Sequence, residues 1–188
     1  LGGPNKELWK LASIAEVNNF LKRGSWKIVK KKEVLQQNRK LIGTKWVFKI
    51  KNESDGSKRF KSRIVTLGYM QIPGIDYTER FSPVSTPSTI RIGLGLVLYY
   101  TGWDAELIDI EAAFLEGRLK NPVYIRLPKG MVELGFMTEE EYETHCAELT
   151  AGMYGCVDAA LQYFLRFTEY VTKKNGMNYT QSEVDPCV

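Results

Sequence analysis

Apolar and polar positions alternate legibly along several stretches of the chain. After Pro4-Asn5, KELWKLASIAEVNNFLKRG repeats apolar residues at helical spacing, with Leu8, Leu11, Ala12, Ala15 and Phe20 on one face and Gly24 as the stop. SWKIVKKKEV alternates as a short strand. TKWVFKIKN alternates more cleanly, with Trp46, Phe48 and Ile50 on one side and Lys45, Val47, Lys49 and Lys51 on the other. ESDGS supplies an Asp55-Gly56 turn and KRFKSRIVTLG returns. This predicts a β-hairpin over 44–67 whose outer face carries Lys49, Lys51, Lys58, Lys61 and Arg63.

YMQIPGIDYTERFSPVSTP is irregular, because its prolines and glycines forbid a long element. Thr86-Pro87-Ser88 starts a helix that runs to about Tyr100. The apolar run IRIGLGLVLYYTGW is shorter than the roughly 18–20 residues of a membrane span and reads as a buried helix. DAELIDI follows as a buried strand, EAAFLEG as a turn or short helix, and PVYIRLP as another strand. TEEEYETHC is an acidic helix from Thr138, AELTAGMYG is strand-like, and VDAALQYFLRFTEYVTKKNGM is a long amphipathic helix closed by lysines and Gly176. MNYTQSEVDPCV begins what reads as a further strand. Helices mixed with antiparallel strands, without regular β–α alternation, indicate an α+β fold. There is no repeat, low-complexity tract or linker.

Composition narrows the classes. A hydrophobic content of 44% over 188 residues supports one core. Cys146, Cys156 and Cys187 are odd in number and widely spaced, which fits a reduced protein better than a disulfide framework. His145, the one histidine, is too little for a zinc site. The net charge of +4 hides an asymmetry: residues 1–70 hold 17 Lys/Arg against 5 Asp/Glu, and residues 71–188 hold 9 against 17. A basic half suits a polyanion, although lysines also simply keep a surface solvated.

Three features carry candidate chemistry. Asp109 ends an apolar strand, where burying an unpaired carboxylate is costly. It is either a solvated strand-end acid or a Mg²⁺ ligand on a rigid mount. Lys61 and Arg63 lie one strand period apart and point to one side; they belong either to a solvated face or to a phosphate clamp. Most of the aromatics read as core, but Phe114 stands five residues past Asp109 and could floor a substrate held there. No Ser/His/Asp triad, P-loop or dinucleotide fingerprint is present.

Together these stretches resemble the reverse transcriptase domain of copia-type retrotransposons. TKWVFKIKNESDGSKRFKSRIVTLGYMQIPGIDYTERFSPV is similar to the family's fingers block. IDIEAAFLEG resembles its first catalytic strand, and VYIRLPKG, MYGCVDAAL and SEVDPCV resemble later blocks in the same order. Trp9, Ala12 and Glu16 fit an N-terminal W-x-x-A-x-x-x-E. The resemblance implies a partial right-hand polymerase fold in one domain, with the N-terminal helix and fingers over about 1–85 and the palm with fingers-side helices over about 86–188. It makes Asp109 the first metal-binding aspartate, with the Ile110 carbonyl on the same ion. Phe114 would lie under the deoxyribose. Lys61 would meet the incoming triphosphate, with Lys51 the weaker candidate and Arg63 beside it. Gly155 and the residues after it, Asp158 included, would lie over the nucleotide and template.

The implied cofactor is Mg²⁺, acting as a pair of ions. The implied partners are an RNA or DNA template-primer and deoxynucleoside triphosphates, with no membrane. Protease, integrase and ribonuclease H would be polyprotein neighbours outside this chain. The implied location is the cytoplasm, a virus-like particle or the nucleus, not the secretory route. Two departures qualify this. The chain ends at Val188, before the family's aromatic-x-Asp-Asp hairpin, and no Asp-Asp pair occurs in it, so the expectation is a truncated domain inactive alone. Asp158 stands where the family more often has glutamine. The alternatives are a non-catalytic nucleic-acid-binding module or a decayed relic.

Overall fold

Two sheets carry the order in the chain. The computed structural model describes residues 3–188. In chain order the elements are α1 (Lys6–Lys22), β1 (Trp26–Lys30), α2 (Lys31–Gln36), β2 (Leu41–Ile42), β3 (Thr44–Asn52), β4 (Lys58–Thr66), α3 (Pro87–Tyr99), β5 (Arg118–Ile125), α4 (Glu139–Thr144), β6 (His145–Ala151) and α5 (Ala159–Thr172), with 3₁₀ turns at Gly68–Met70 and Ala113–Glu116. One sheet has the order β1-β6-β5-β2; the other is the hairpin β3-β4. The architecture is α+β. Most pairings are antiparallel, but β2 runs parallel to β5.

Val17 and Phe20 from α1 pack with Trp26, Ile42, Ile64, Val123, Ile125, Leu149 and Met153 into the main core. Phe20 stacks on Trp26 with centroids 5.0 Å apart. The same helix covers the apolar face of the hairpin, where the Trp9 ring meets Phe48 and Phe60 edge-on at 5.1 and 4.7 Å. The buried stripe of α1 is therefore Ser13, Val17 and Phe20, with Trp9 beside it, while Leu8 and Leu11 point to solvent. This corrects the face read from the apolar residues alone. The polar Ser13 is tolerated inside because its hydroxyl bonds the Trp9 carbonyl at 2.8 Å and lies 3.3 Å from the Ser62 hydroxyl.

The hairpin forms where the alternation places it. Its turn closes with Glu53 N–H donating to Ser57 O at 2.9 Å, and Gly56 adopts φ +82°. The register pairs Lys49 with Lys61, Lys51 with Arg59 and Asn52 with Lys58. Lys58 therefore stands on the opposite face from Lys49, Lys51, Lys61 and Arg63, and Arg59 takes its expected place. The strand expected over SWKIVKKKEV stops at Lys30 and gives way to α2.

Three further expectations fail for one physical reason. Helix α3 starts as foreseen, with Thr89 N–H donating to the Thr86 hydroxyl at 3.2 Å and Pro87 in its first turn, but it buries no residue. Residues 104–110, expected as the strand DAELIDI, carry no regular structure, and Leu107 is fully exposed. Residues 178–188 form no strand either. A strand exists only when its amides and carbonyls find a partner strand, and among the described residues none is offered to these segments. The last stretch is held instead by Asp185, which accepts from Cys187 N–H at 2.9 Å and from Thr86 N–H at 3.1 Å. Among the described residues no helix is long and apolar enough to cross a membrane.

Candidate functional site

A cleft of about 650 Å³ opens between α1 and β4 on one side and the turn after Ile110 on the other. Lys61 and Arg63 of β4, Glu16 of α1, Glu111, Ala112 and Tyr154 are among its walls. Strand period brings Lys61 and Arg63 to the same face. The register then sets Lys61 opposite Lys49 and Arg59 opposite Lys51, so like charges face each other across the hairpin. The Lys61 amine is held below its usual range, first by partial burial and then by Arg63, Lys51 and Arg59. An anion in the cleft would relieve that repulsion.

Tyr154 joins the two walls. The Arg63 guanidinium lies over its ring at 5.3 Å, and its ring meets Phe114 edge-on at 5.7 Å. The Tyr154 carbonyl accepts from Thr66 N–H at 2.8 Å and from the Thr66 hydroxyl at 3.1 Å, which docks the end of β4. Gly155 follows with φ +86°, and a Cβ there would stand 2.3 Å from the Thr66 carbonyl oxygen. Only glycine allows this approach. Arg63 Nε is buried with no hydrogen-bond partner among the described residues, which leaves a donor beside the cleft. Ala112 adopts the left-handed conformation (φ 53°) and turns the chain into the 3₁₀ segment that carries Phe114.

The expected site residues divide into two groups. Lys61 and Arg63 line the cleft, Phe114 packs behind Tyr154, and Gly155 adjoins it. Lys51 shares the basic face but lies outside the cleft wall, as do Asp109 and Ile110, both on the exposed segment before Glu111. Asp109 is near enough to Tyr163 for its charge to raise that hydroxyl's pKa, after burial has done most of it. Asp158 is only 4% exposed, below the start of α5. One of its oxygens is 3.4 Å from Gln162 Nε2 and the other has no partner, and burial raises its pKa. It does not front the cleft. His145 Nδ1 is engaged by the Thr144 hydroxyl at 2.9 Å and the Glu141 carbonyl at 3.2 Å.

Among the described residues no group of three or more His, Cys, Asp and Glu is arranged to hold a metal ion. Asp109 alone is an incomplete donor set for a pair of ions. Tyr154 and Glu16 are among the cleft residues not singled out for the site from the sequence. Tyr154 carried one local signal, its place before a glycine. Glu16 carried its place in the N-terminal W-x-x-A-x-x-x-E, which assigns it no role.

Residues 23–185 match the family described as reverse transcriptase (RNA-dependent DNA polymerase), and the chain belongs to that family in its copia-type retrotransposon form. It is 31% identical over 166 residues to the Retrovirus-related Pol polyprotein from transposon RE1 of Arabidopsis thaliana, covering 88% of this chain and 11% of that protein. It is 30% identical over 190 residues to the Retrovirus-related Pol polyprotein from transposon TNT 1-94 of Nicotiana tabacum, covering 100% of this chain and 13% of that protein. The chain thus spans about a tenth of the length of these curated relatives. No solved structure matches it.

Proposed function

We propose that the chain supplies the fingers and the leading part of the palm of a template-directed DNA polymerase, with the cleft as the seat for nucleotide phosphates and the adjoining nucleic-acid backbone. The observation that carries this reading is Lys61, Arg63 and Tyr154 lining one cleft, with Phe114 packed behind Tyr154, in a chain that matches the reverse transcriptase family over residues 23–185. Lys61 acts as a point charge and Arg63 as a planar donor; together they neutralise phosphate oxygens. Phe114 offers a flat apolar edge for the sugar, and Gly155 lets backbone lie close to it. Divalent ions are general in this family. Asp109 would supply one ligand to such an ion, with the Ile110 carbonyl beside it; the other donors are not among the described residues. Protease, integrase and ribonuclease H modules are the polyprotein neighbours this reading implies.

Labelled template-primer binding to the 188-residue chain, followed by anisotropy against salt, tests the cleft. Affinity should fall steeply as salt rises, and Lys61→Ala or Arg63→Ala should each reduce the logarithmic salt slope by about one. Unchanged slopes in both variants reject the cleft as a phosphate seat. A second reading, nucleic-acid binding without catalysis, is favoured by one observation: Asp109 stands exposed outside the cleft. Primer extension by the polypeptide that naturally carries this chain separates the two. Incorporation abolished by Asp109→Asn supports the polymerase, whereas tight binding with no incorporation supports the module.

A further inference from the structure

The cleft contains a half-buried acid, Glu16, that the polymerase reading leaves without a task. Glu16 Oε1 accepts from Ile64 N–H at 3.2 Å. Successive pairs of an antiparallel ladder alternate between amides turned inward and amides turned outward. Because Thr66 N–H is taken by the Tyr154 carbonyl, the pairs Thr44–Thr66, Trp46–Ile64 and Phe48–Ser62 are the outward kind. The outer edge of β4 is therefore closed by the Tyr154 carbonyl at Thr66 and by Glu16 at Ile64. The next outward amide, at Ser62, belongs to a residue of the cleft wall. Lys61 and Arg63 flank this edge and form no ion pair among the described residues. They reach Glu16 through space, pulling its pKa down against the larger upward push of burial.

We propose that Glu16 is a positioning residue for phosphate binding at this cleft: its carboxylate fixes the edge of β4 through Ile64 and keeps a negative charge in the field of Lys61 and Arg63, limiting how tightly a polyphosphate is held. This rests on the reading of the cleft as a phosphate seat. A carboxamide can still accept from the Ile64 amide but carries no charge, so Glu16→Gln separates the two tasks.

The test is titration calorimetry of inorganic tripolyphosphate into the 188-residue chain, with hydrogen exchange read at the Ile64 amide. Glu16→Gln should leave Ile64 protected and tighten tripolyphosphate binding roughly three- to tenfold, the scale for removing one like charge near a partly solvated site. Glu16→Ala should accelerate exchange at Ile64, and so should Glu16→Met, which fills similar space but cannot accept from the amide; a purely steric role would leave the Met variant protected. If Lys61→Ala weakens binding but Glu16→Gln binds no more tightly than the natural chain, the role of Glu16 is overturned and the phosphate seat stands. If tripolyphosphate does not bind the natural chain at all, the seat is overturned and the role of Glu16 with it.

Discussion

Ile64 in β4 and Leu98 in α3 are both aliphatic residues in regular elements, yet Ile64 is 0% exposed and Leu98 is 88% exposed. The difference belongs to their surroundings. Hairpin β3-β4 is roofed by α1 and docked through Thr66 onto Tyr154, so Ile64 on its inner face joins the main core and Phe48 and Phe60 meet Trp9. Segment 87–110 has a comparable density of Ile, Leu, Trp and Tyr, yet α3 buries no residue and 103–110 is exposed. What persists there is what local chemistry supports: a helix with a capped start, and beyond it open chain. Apolar pattern states a demand for burial; it does not say where the demand is met.

The largest expected effect sharpens this contrast. Ile64→Ala should cost about 2–5 kcal/mol through lost transfer energy and the cavity left behind. Leu98→Ala should shift stability by no more than about 0.5 kcal/mol. Urea denaturation of both variants measures the gap, and equal losses would mean that α3 is packed in solution. Thr86→Ala comes next. Removing its cap should weaken α3 by about 1 kcal/mol, seen as faster amide exchange within Pro87–Tyr99 with no shift in the global unfolding midpoint. A shift of that midpoint would erase the distinction between the regions.

The smallest effect concerns the buried acid at the start of α5. Burial raises the Asp158 pKa above its ordinary 3.8, so the unfolded chain releases this proton before the folded one does. Stability is then lost as pH rises from about 3.8 through the raised folded value. Asp158→Asn should be indistinguishable in stability below pH 3.8 and increasingly favourable above it, reaching its full gain once pH exceeds the folded pKa. Denaturation midpoints at three pH values decide it.

The hairpin was legible because its signal is local: period-two alternation on each side of Asp55-Gly56. Helix α4 was legible for the same reason. Thr138 and Glu141 form a reciprocal capping box, with Glu141 N–H donating to the Thr138 hydroxyl and Thr138 N–H to the Glu141 carboxylate. The buried face of α1 was misread because Ser13 and Glu16 are satisfied by groups on β4 nearly fifty positions away, which no window reveals. The strand at Asp109 was misread because sequence alternation cannot supply the partner a strand needs. Strand period placed Lys61 and Arg63 on one face, and the structure has both on the cleft wall, whereas Phe114, placed by its distance from Asp109, packs against Tyr154. Tyr154 escaped because its importance lies in what meets it from β4 and from the 3₁₀ turn.

That meeting has a mechanical consequence. One residue grips the root of the hairpin with its carbonyl, lies beneath Arg63 with the face of its ring and abuts Phe114. Tyr154 is thus a pivot shared by the basic strand and the aromatic wall. A displacement of the hairpin at its base would therefore disturb the aromatic wall too, so the two sides of the cleft are mechanically coupled.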